Sequence, residues 1–445
     1  MIKKIHSFRN NELLFGSFVN FSIKGIAFLI NYLIMIFSIK FFGVEFYGEY
    51  NINLSLIDIF SVFCLFGADI YFLKELSKSK NDYIENKYLL KNLMLICCVF
   101  ILLLTIVFLT AMNFPFIRDY FNLNSINVYL LILGIAFATL NLLFLSGIRA
   151  SGSIITYSIG EKFIQRFITL IIVFLFIIIN VRLEPAILIF FSTGTATIYS
   201  LIFLNKFVFH KGNKMKFTKI KPGKYAIPNL LKEMKFIFIS SFILILLGKM
   251  DTLTISFFMN SSEVGKYNVA LQIAVLINFS MGSINSILSP LISRQYHSNQ
   301  TRLLEKNIKM ANNIILATSF ALTLIIITFY NFIISIIGLN ENIFIPLVIL
   351  LIGQLFSAFM GSVVNLMNMT GNFKIVSFSM VCALLTNLTL NFILVPSIGL
   401  TGAAISTAIS YFIKDFICTL YGLKMFNFKF SHISYLVLWL NKGRG

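Results

Sequence analysis

Long, uninterrupted apolar runs fill almost the whole chain, and short polar segments separate them. A helix needs about 20 apolar residues to span a bilayer, which is the length of these runs. Because unpaired backbone cannot face hydrocarbon, a spanning segment is either a helix or a strand of a closed barrel. Polar and apolar residues do not alternate within the runs, so the pattern predicts a helical bundle.

The apolar runs predict twelve spans, both termini lying on one side of the membrane. The predicted spans are 15–41, 51–73, 89–112, 126–148, 154–180, 185–205, 236–259, 267–291, 312–337, 344–367, 375–395 and 401–421. The apolar tail 433–440 is too short to cross. We therefore expect an all-α polytopic membrane protein.

Composition excludes a water-soluble protein. Of the 445 residues, 58% are hydrophobic and 12% are charged, whereas soluble domains carry about 25% charged residues. The net charge of +19 then indicates basic cytoplasmic loops rather than nucleic acid binding. Five cysteines lie inside apolar runs and the four histidines lie far apart, so neither a disulfide framework nor a metal site is expected.

The basic residues also orient the chain. With a cytoplasmic N-terminus, 29 of the 36 Lys and Arg residues fall in or beside inner segments, and three fall in outer ones. Membrane insertion favours this bias, so both termini are predicted to be cytoplasmic.

A short motif indicates an internal repeat. Gly-x-Tyr-Asn occurs at 48–51 and again at 265–268, an offset of 217, and Gly152 and Gly371 recur at an offset of 219. The matches predict two six-helix units of the same orientation, as in transporters with parallel repeats. Such bundles are expected to enclose a cleft that opens to alternate sides of the membrane.

The predicted organisation follows from this repeat. It consists of an N-terminal bundle over 1–209, a basic linker over 210–235, a C-terminal bundle over 236–421 and a cytoplasmic tail over 422–445.

Cations inside or beside the spans are candidate binding residues, since an ionisable side chain at the bilayer centre costs about 2.5–3.5 kcal/mol on insertion scales. Lys249 lies near the middle of the seventh span, where snorkelling to the headgroups is unfavourable. Lys24 lies in the first span, and snorkelling is the alternative for it. Arg149, Lys162 and Arg166 lie near the inner end of the fourth and fifth spans.

Carboxylates form the second candidate set. Asp58 and Asp69 are eleven residues apart, which puts them on one face of a regular helix. Asp251 is two residues from Lys249, so the two side chains point apart and each needs another partner. Asp415 lies near the inner edge of the twelfth span and is a weaker candidate. No Walker loop, zinc motif or nucleophile elbow is present, so we expect neither an enzyme nor a cofactor.

Three stretches carry a family resemblance. They are "FFGVEFYGEYN" at 41–51, "LGKMDTLTISFFMNSSEVGKYNVALQI" at 247–273 and "NLTLNFILVPSIGLTGAAISTAIS" at 387–410. They resemble helix signatures of polysaccharide (O-antigen or capsule) repeat-unit flippases of the multidrug/oligosaccharidyl-lipid/polysaccharide exporter superfamily. The resemblance covers nearly the whole chain.

The resemblance implies a flippase of the bacterial cytoplasmic membrane that moves an undecaprenyl-diphosphate-linked oligosaccharide to the outer leaflet. It assigns ion coupling to Asp58, Asp69 and Asp251. The cations that it assigns to the diphosphate are Lys24, Lys249, Arg149, Lys162 and Arg166. A polysaccharide polymerase and chain-length complex is a further partner that the resemblance leaves open.

Three alternatives are weighed against this function. A multidrug or cation antiporter of the same architecture would favour a more acidic cavity. An integral-membrane polysaccharide polymerase would need a large outer loop, and the predicted outer loops are short. A non-transporting structural protein does not account for the charges within the spans.

Overall fold

The computed structural model describes residues 12–78, 83–111, 125–181, 184–209, 226–426 and 430–431. Within these ranges the chain is almost entirely helical, as the apolar runs predict, and it contains no strand. By its internal contacts the chain divides into two compact units, Met1–Ile245 and Leu246–Gly445.

Nine α-helices begin in the first unit. They are α1 (Glu12–Phe42), α2 (Val44–Leu65), α3 (Ala68–Lys78), α4 (Tyr83–Ala111), α5 (Ser125–Ala150), α6 (Ile154–Ser158), α7 (Ile164–Ile179), α8 (Pro185–Leu204) and α9 (Ile227–Phe258). A π-helical turn, Ile159–Phe163, joins α6 to α7, and a second, Asn205–Phe209, extends α8. Helix α9 continues into the second unit.

Seven α-helices follow α9 in the second unit. They are α10 (Ser261–His297), α11 (Thr301–Thr328), α12 (Tyr330–Ile337), α13 (Phe344–Met360), α14 (Val363–Met369), α15 (Phe373–Ile398) and α16 (Leu400–Met425).

The helices confirm the predicted membrane bundle. Among the described residues, eight helices are long and apolar enough to cross a membrane, and three bent helix pairs raise this number to eleven. The one predicted span not among these eleven is the seventh, 236–259, which lies on α9 apart from its last residue. The cytoplasmic position of the termini stays a prediction.

The predicted domain boundaries also stay a prediction. Residues 210–225 of the predicted linker and 427–429 and 432–445 of the predicted tail lie outside the described residues. The division between the compact units falls within α9, at Ile245, rather than in the basic segment.

A sharp bend divides the second predicted span. Phe66 (φ 48°) and Gly67 (φ 79°) have left-handed backbone conformations. The chain bends by 53° between α2 and α3. A Cβ on Gly67 would lie 3.0 Å from the backbone nitrogen of Phe238, so glycine permits this close approach. The expectation that Asp58 and Asp69 share one helical face is therefore wrong, because they lie on different helices.

The predicted spans begin at 51 and 267, so they place the Gly-x-Tyr-Asn motif across an outer loop and the start of the next helix. In the structure the motif lies wholly within helices, because α2 and α10 begin four residues before its glycine. Its asparagine makes the same bond in both copies. The Asn51 side chain donates to the Tyr47 carbonyl oxygen at 2.7 Å, and Asn268 donates to that of Val264 at 2.9 Å. The motif therefore has one local structure in both units.

Candidate functional site

A π-helical turn in the first unit places the carboxylate of Glu161 beside a predicted binding cation. The Lys24 Nζ lies 3.7 Å from Glu161 Oε2, and the two side chains are 44% and 25% exposed. A π-turn adds one residue to the helix, and such turns are frequent at functional sites. Lys24 therefore has a carboxylate partner that remains partly open to its surroundings.

Glu161 also lines a small cavity of about 80 Å³ together with Asp69, Ser146, Arg149 and Tyr157. The Arg149 guanidinium lies 5.3 Å from the centre of the Tyr157 ring, within cation–π range. Among the described residues, the buried Asp69 Oδ1 and Glu161 Oε2 accept no hydrogen bond. The cavity therefore places the Arg149 guanidinium near carboxylate oxygens of Asp69 and Glu161 that can still accept a hydrogen bond.

Arg166 and Asp58 are not among the described residues that line this cavity. Arg166 lies near Tyr47 and Tyr50, and Asp58 is half-buried on α2. The side chain of Lys162 lies outside the described residues. The structure therefore brings Lys24, Asp69 and Arg149 together through Glu161, which sequence analysis did not select.

A buried carboxylate organises the polar centre of the second unit. Asp251 of α9 is 6% exposed, and four side chains from three helices donate to it. These donors are Tyr267 at 3.0 Å, Thr407 at 2.6 Å, Asn387 at 2.9 Å and Asn391 at 2.7 Å. A carboxylate has about four acceptor positions, so these donors match its capacity.

One further hydrogen bond connects groups around Asp251, since Asn391 donates to the Asn387 carbonyl oxygen at 3.1 Å. The hydroxyl oxygens of Tyr267 and Thr407 lie 2.9 Å apart. The Asn391 carbonyl oxygen is buried and accepts no bond from the described residues. The cluster therefore offers oxygen atoms of carboxylate, amide and hydroxyl type within one buried site.

Lys249 lies on the same helix but outside this cluster, as its spacing from Asp251 predicts. Its side chain is half-buried, whereas that of Asp251 is buried. Helix α9 continues unbroken through Gly248, so the local break that a glycine permits does not occur.

Sequence analysis missed the donors around Asp251. Asn387 and Asn391 are four residues apart, a spacing that puts them on one helical face. That spacing was the available signal, but interhelical hydrogen bonding explains most asparagines in membrane helices equally well. Only the fold shows that α10, α15 and α16 converge on one aspartate.

These features define a class: a multi-pass integral membrane protein whose helices carry a partly exposed charged cluster in the first unit and a buried polar cluster in the second. Residues 13–296 match the family described as "Polysaccharide biosynthesis protein". The chain belongs to this polysaccharide biosynthesis protein family, which confirms the resemblance seen in the sequence.

Solved structures show the same fold. The chain is similar to a lipid II flippase MurJ in an inward closed conformation, with a TM-score of 0.71 and 16% identity, covering 91% of this chain and 87% of that one. It is also similar to an inward-facing MATE multidrug resistance transporter of the MOP superfamily, with a TM-score of 0.64 and 14% identity, covering 91% and 97%. The protein thus has the fold of this transporter superfamily.

A curated relative agrees with the membrane assignment. The chain is 23% identical over 387 residues to an uncharacterized membrane protein, MJ1068, of Methanocaldococcus jannaschii, covering 81% of this chain and 74% of the relative.

Proposed function

We propose that the protein is a flippase that moves an undecaprenyl-diphosphate-linked oligosaccharide across the bacterial cytoplasmic membrane by alternating access coupled to an ion. Membership of the polysaccharide biosynthesis protein family and the fold shared with a lipid II flippase support this class of substrate. Neither relationship identifies which sugars the oligosaccharide contains.

The observation that carries the proposal is the pairing of Lys24 with Glu161, beside the cavity that Arg149 lines. A diphosphate cannot enter hydrocarbon without replacing its hydration, and Lys and Arg replace it with charge-assisted hydrogen bonds. The Lys24–Glu161 pair is loose and partly exposed, so its attraction is weak. A diphosphate carries more negative charge than one carboxylate and is the stronger partner for these cations.

Asp251 supplies the ion-coupling part of the proposal. Its site is buried, and the carboxylate lies beside the Asn391 carbonyl oxygen, which accepts no bond from the described residues. Carboxylate and carbonyl oxygens are the ligands that hard cations prefer, and a carboxylate also binds a proton. A buried ionisable residue inside a membrane bundle is a functional candidate by default. The other candidates stay predictions. They are Lys162, Arg166 and Lys249 for substrate binding, and Asp58 and Asp69 for ion coupling.

Binding of a short prenyl diphosphate tests the substrate assignment. Geranylgeranyl diphosphate is titrated against the purified protein in nanodiscs and against Lys24→Ala and Arg149→Ala. Each variant loses a charged hydrogen-bond donor, worth about 1.5–3 kcal/mol, so we expect affinity to fall about tenfold or more. Geranylgeraniol, which lacks the phosphates, should bind no better to the wild type than to the variants.

Lys40→Ala is the matched control, because this exposed cation lies near the opposite end of the same helix as Lys24. It should bind the probe as the wild type does. Equal affinity in the wild type, Lys24→Ala and Arg149→Ala would exclude these residues as the diphosphate site. In cells, Lys249→Ala should abolish surface polysaccharide while the protein still inserts.

A further inference from the structure

A helix break in the second unit is held in place by one asparagine. Helices α13 and α14 bend by 48° at Gly361 (φ 76°) and Ser362. The Asn312 side chain of α11 accepts a bond from the Ser362 backbone nitrogen at 3.0 Å and donates to the Phe430 carbonyl oxygen at 2.9 Å. A Cβ on Gly361 would lie 2.5 Å from the Asn312 side chain, so the position requires glycine. The first turn of α14 therefore has a fixed position against α11.

This turn of α14 carries polar side chains that contact α10. The Ser362 hydroxyl donates to the Asn285 side-chain oxygen at 2.6 Å, and the Ser289 hydroxyl donates to the Asn365 side-chain oxygen at 2.8 Å. Two amides and two hydroxyl groups thus form one neutral cluster, which we call the α10–α14 cluster.

The α10–α14 cluster has hydrogen-bonding capacity that its members do not use. The Asn365 Nδ2 is buried and has no hydrogen-bond partner among the described residues. The bond from Ser362 uses the Asn285 side-chain oxygen and leaves its NH2 group for another partner. The Ser289 hydroxyl has one proton but lies 2.6 Å from the Asn285 backbone oxygen as well, so it cannot satisfy both of its acceptors at once. A contact that only joined two helices would satisfy its own donors, because an unpaired buried donor is unfavourable.

One side of the cluster is open. Gly282, Asn285, Ser286 and Ser289 are spaced i, i+3, i+4 and i+7, so they share one face of α10. Gly282 and Ser286 are exposed, and a Cβ on Gly282 would meet no atom of the described chain within 4 Å. This face lies inside the predicted span 267–291, at a depth where the surroundings of the protein are hydrocarbon.

The open face of α10 differs from helix surfaces that suit lipid. Helix α4 exposes apolar side chains such as Leu102, Ile106 and Val107. Serine and asparagine side chains in hydrocarbon would lose their hydrogen bonds to water without replacement. The α10 face therefore suits a water-filled space or a polar ligand within the membrane.

We propose that the α10–α14 cluster binds an uncharged sugar unit of the lipid-linked oligosaccharide. The inference rests on the proposed function and adds a sugar site to it. A sugar hydroxyl both donates and accepts, as the amide and hydroxyl groups of the cluster do. Residues 282–289 and 362–369 contain no charged side chain, so they offer a phosphate no cation and a hard metal ion no carboxylate.

The residues of the cluster have different roles in this proposal. Asn285 lies on the open face, and its NH2 group donates to the sugar. A sugar oxygen that reaches Asn365 satisfies a donor that has no partner in the free protein. Asn312 is a positioning residue, because it fixes the turn of α14 that carries Asn365.

Titration with prenyl diphosphates that differ only by a sugar tests the proposal. Geranylgeranyl diphosphate and its N-acetylglucosamine, glucose and galactose conjugates are titrated against the full chain in nanodiscs. We expect at least one conjugate to bind about fivefold or more tightly than the bare lipid, because the sugar adds neutral hydrogen bonds. Asn285→Leu and Asn365→Leu should lose this gain and still bind the bare lipid as the wild type does.

Asn307→Leu is the matched control, because Asn307 is another half-buried asparagine of the second unit and donates to Gln295 instead. Gln295 lies ten residues beyond Asn285 on α10, or about 15 Å along the helix. The gain should persist in this variant.

Gly282→Leu tests the same site without removing a hydrogen bond, because leucine fills the open face beside Asn285. This variant should also lose the gain, and it decides the question if an amide variant fails to fold. A gain that persists in Gly282→Leu, Asn285→Leu and Asn365→Leu would overturn the proposal. So would the absence of a gain for all three conjugates in the wild type.

The outcome is separable from that of the proposed function. If the wild type binds a conjugate but not the bare lipid, and the cluster variants lose that binding, the diphosphate assignment fails and the sugar site stands. If the bare lipid binds through Lys24 and no sugar strengthens its binding, only the sugar site fails.

Discussion

Tyr50 in the first unit and Tyr267 in the second occupy the same place in the repeated motif, yet they belong to different surroundings. The paired phenylalanines at 41–42 and 257–258 recur at an offset of 216, which aligns Met35 with Asp251. Met35 is fully buried. One unit therefore places an apolar side chain where the other places a carboxylate.

Both units bury hydroxyl groups, since Ser192 and Thr193 of α8 are buried, as are Ser406 and Thr407 of α16. At the offset of 219 given by Gly152 and Gly371, Asn387 and Asn391 of α15 correspond to Ile168 and Ile172 of α7. The first unit thus retains hydroxyl groups but lacks the carboxylate and both amides.

The first unit instead concentrates its charge around Glu161, where Lys24 and Arg149 lie near carboxylates that are partly exposed. Asp251 is buried and is held by neutral donors. An exposed ion pair is easily replaced by another anion, whereas a buried carboxylate held by four donors is not. The comparison indicates that the repeats have diverged into a charged, exchangeable site and a fixed buried one.

Asp251→Asn tests the fixed site and has the largest expected effect. The amide cannot ionise, and its NH2 group faces side chains that are themselves donors; each buried polar group left without a partner costs about 1–3 kcal/mol. We expect lipid flipping in proteoliposomes to fall more than about a hundredfold. Thermal unfolding of the purified variant is measured alongside, because lower stability accompanies the loss. Undiminished flipping at normal stability would show that the carboxylate has no role in transport.

Much of the fold follows from the sequence because lipid requires long apolar helices, and the twelve predicted spans lie on the observed ones. The bend at Phe66 cannot be predicted from the sequence in this way, since phenylalanine rarely adopts a left-handed conformation. The burial of Asp415, which is 4% exposed, is not visible in the sequence either, because its partner Ser357 lies on a distant helix. Convergence of distant side chains on Asp251 depends on packing that no local pattern encodes.

Glu161→Gln tests the exchangeable site and has an intermediate effect. Removing this charge frees Lys24 from a competing anion, so geranylgeranyl diphosphate should bind more tightly. Because the pair is 44% and 25% exposed, its coupling is worth about 0.2–1 kcal/mol, or up to about fivefold in affinity. Isothermal titration at low and high salt measures this gain, which should shrink as salt screens the charges. Weaker binding in the variant would mean that Glu161 supports the site rather than competing for it.

Met35→Leu has the smallest expected effect and tests whether the first unit lacks a counterpart of the Asp251 site. Met35 is buried on α1, and leucine fills a similar volume without a polar atom, so the change should cost less than about 1.5 kcal/mol. We expect lipid flipping to stay within about twofold of the wild type and thermal unfolding to shift only slightly. Asparagine is also close in volume to the aspartate that it replaces in Asp251→Asn. The two variants therefore change the polarity or charge of aligned positions with little change in packing. A large loss of flipping in Met35→Leu, with the protein still folded, would show that this position is as constrained as Asp251 and that the repeats have not diverged in the way proposed.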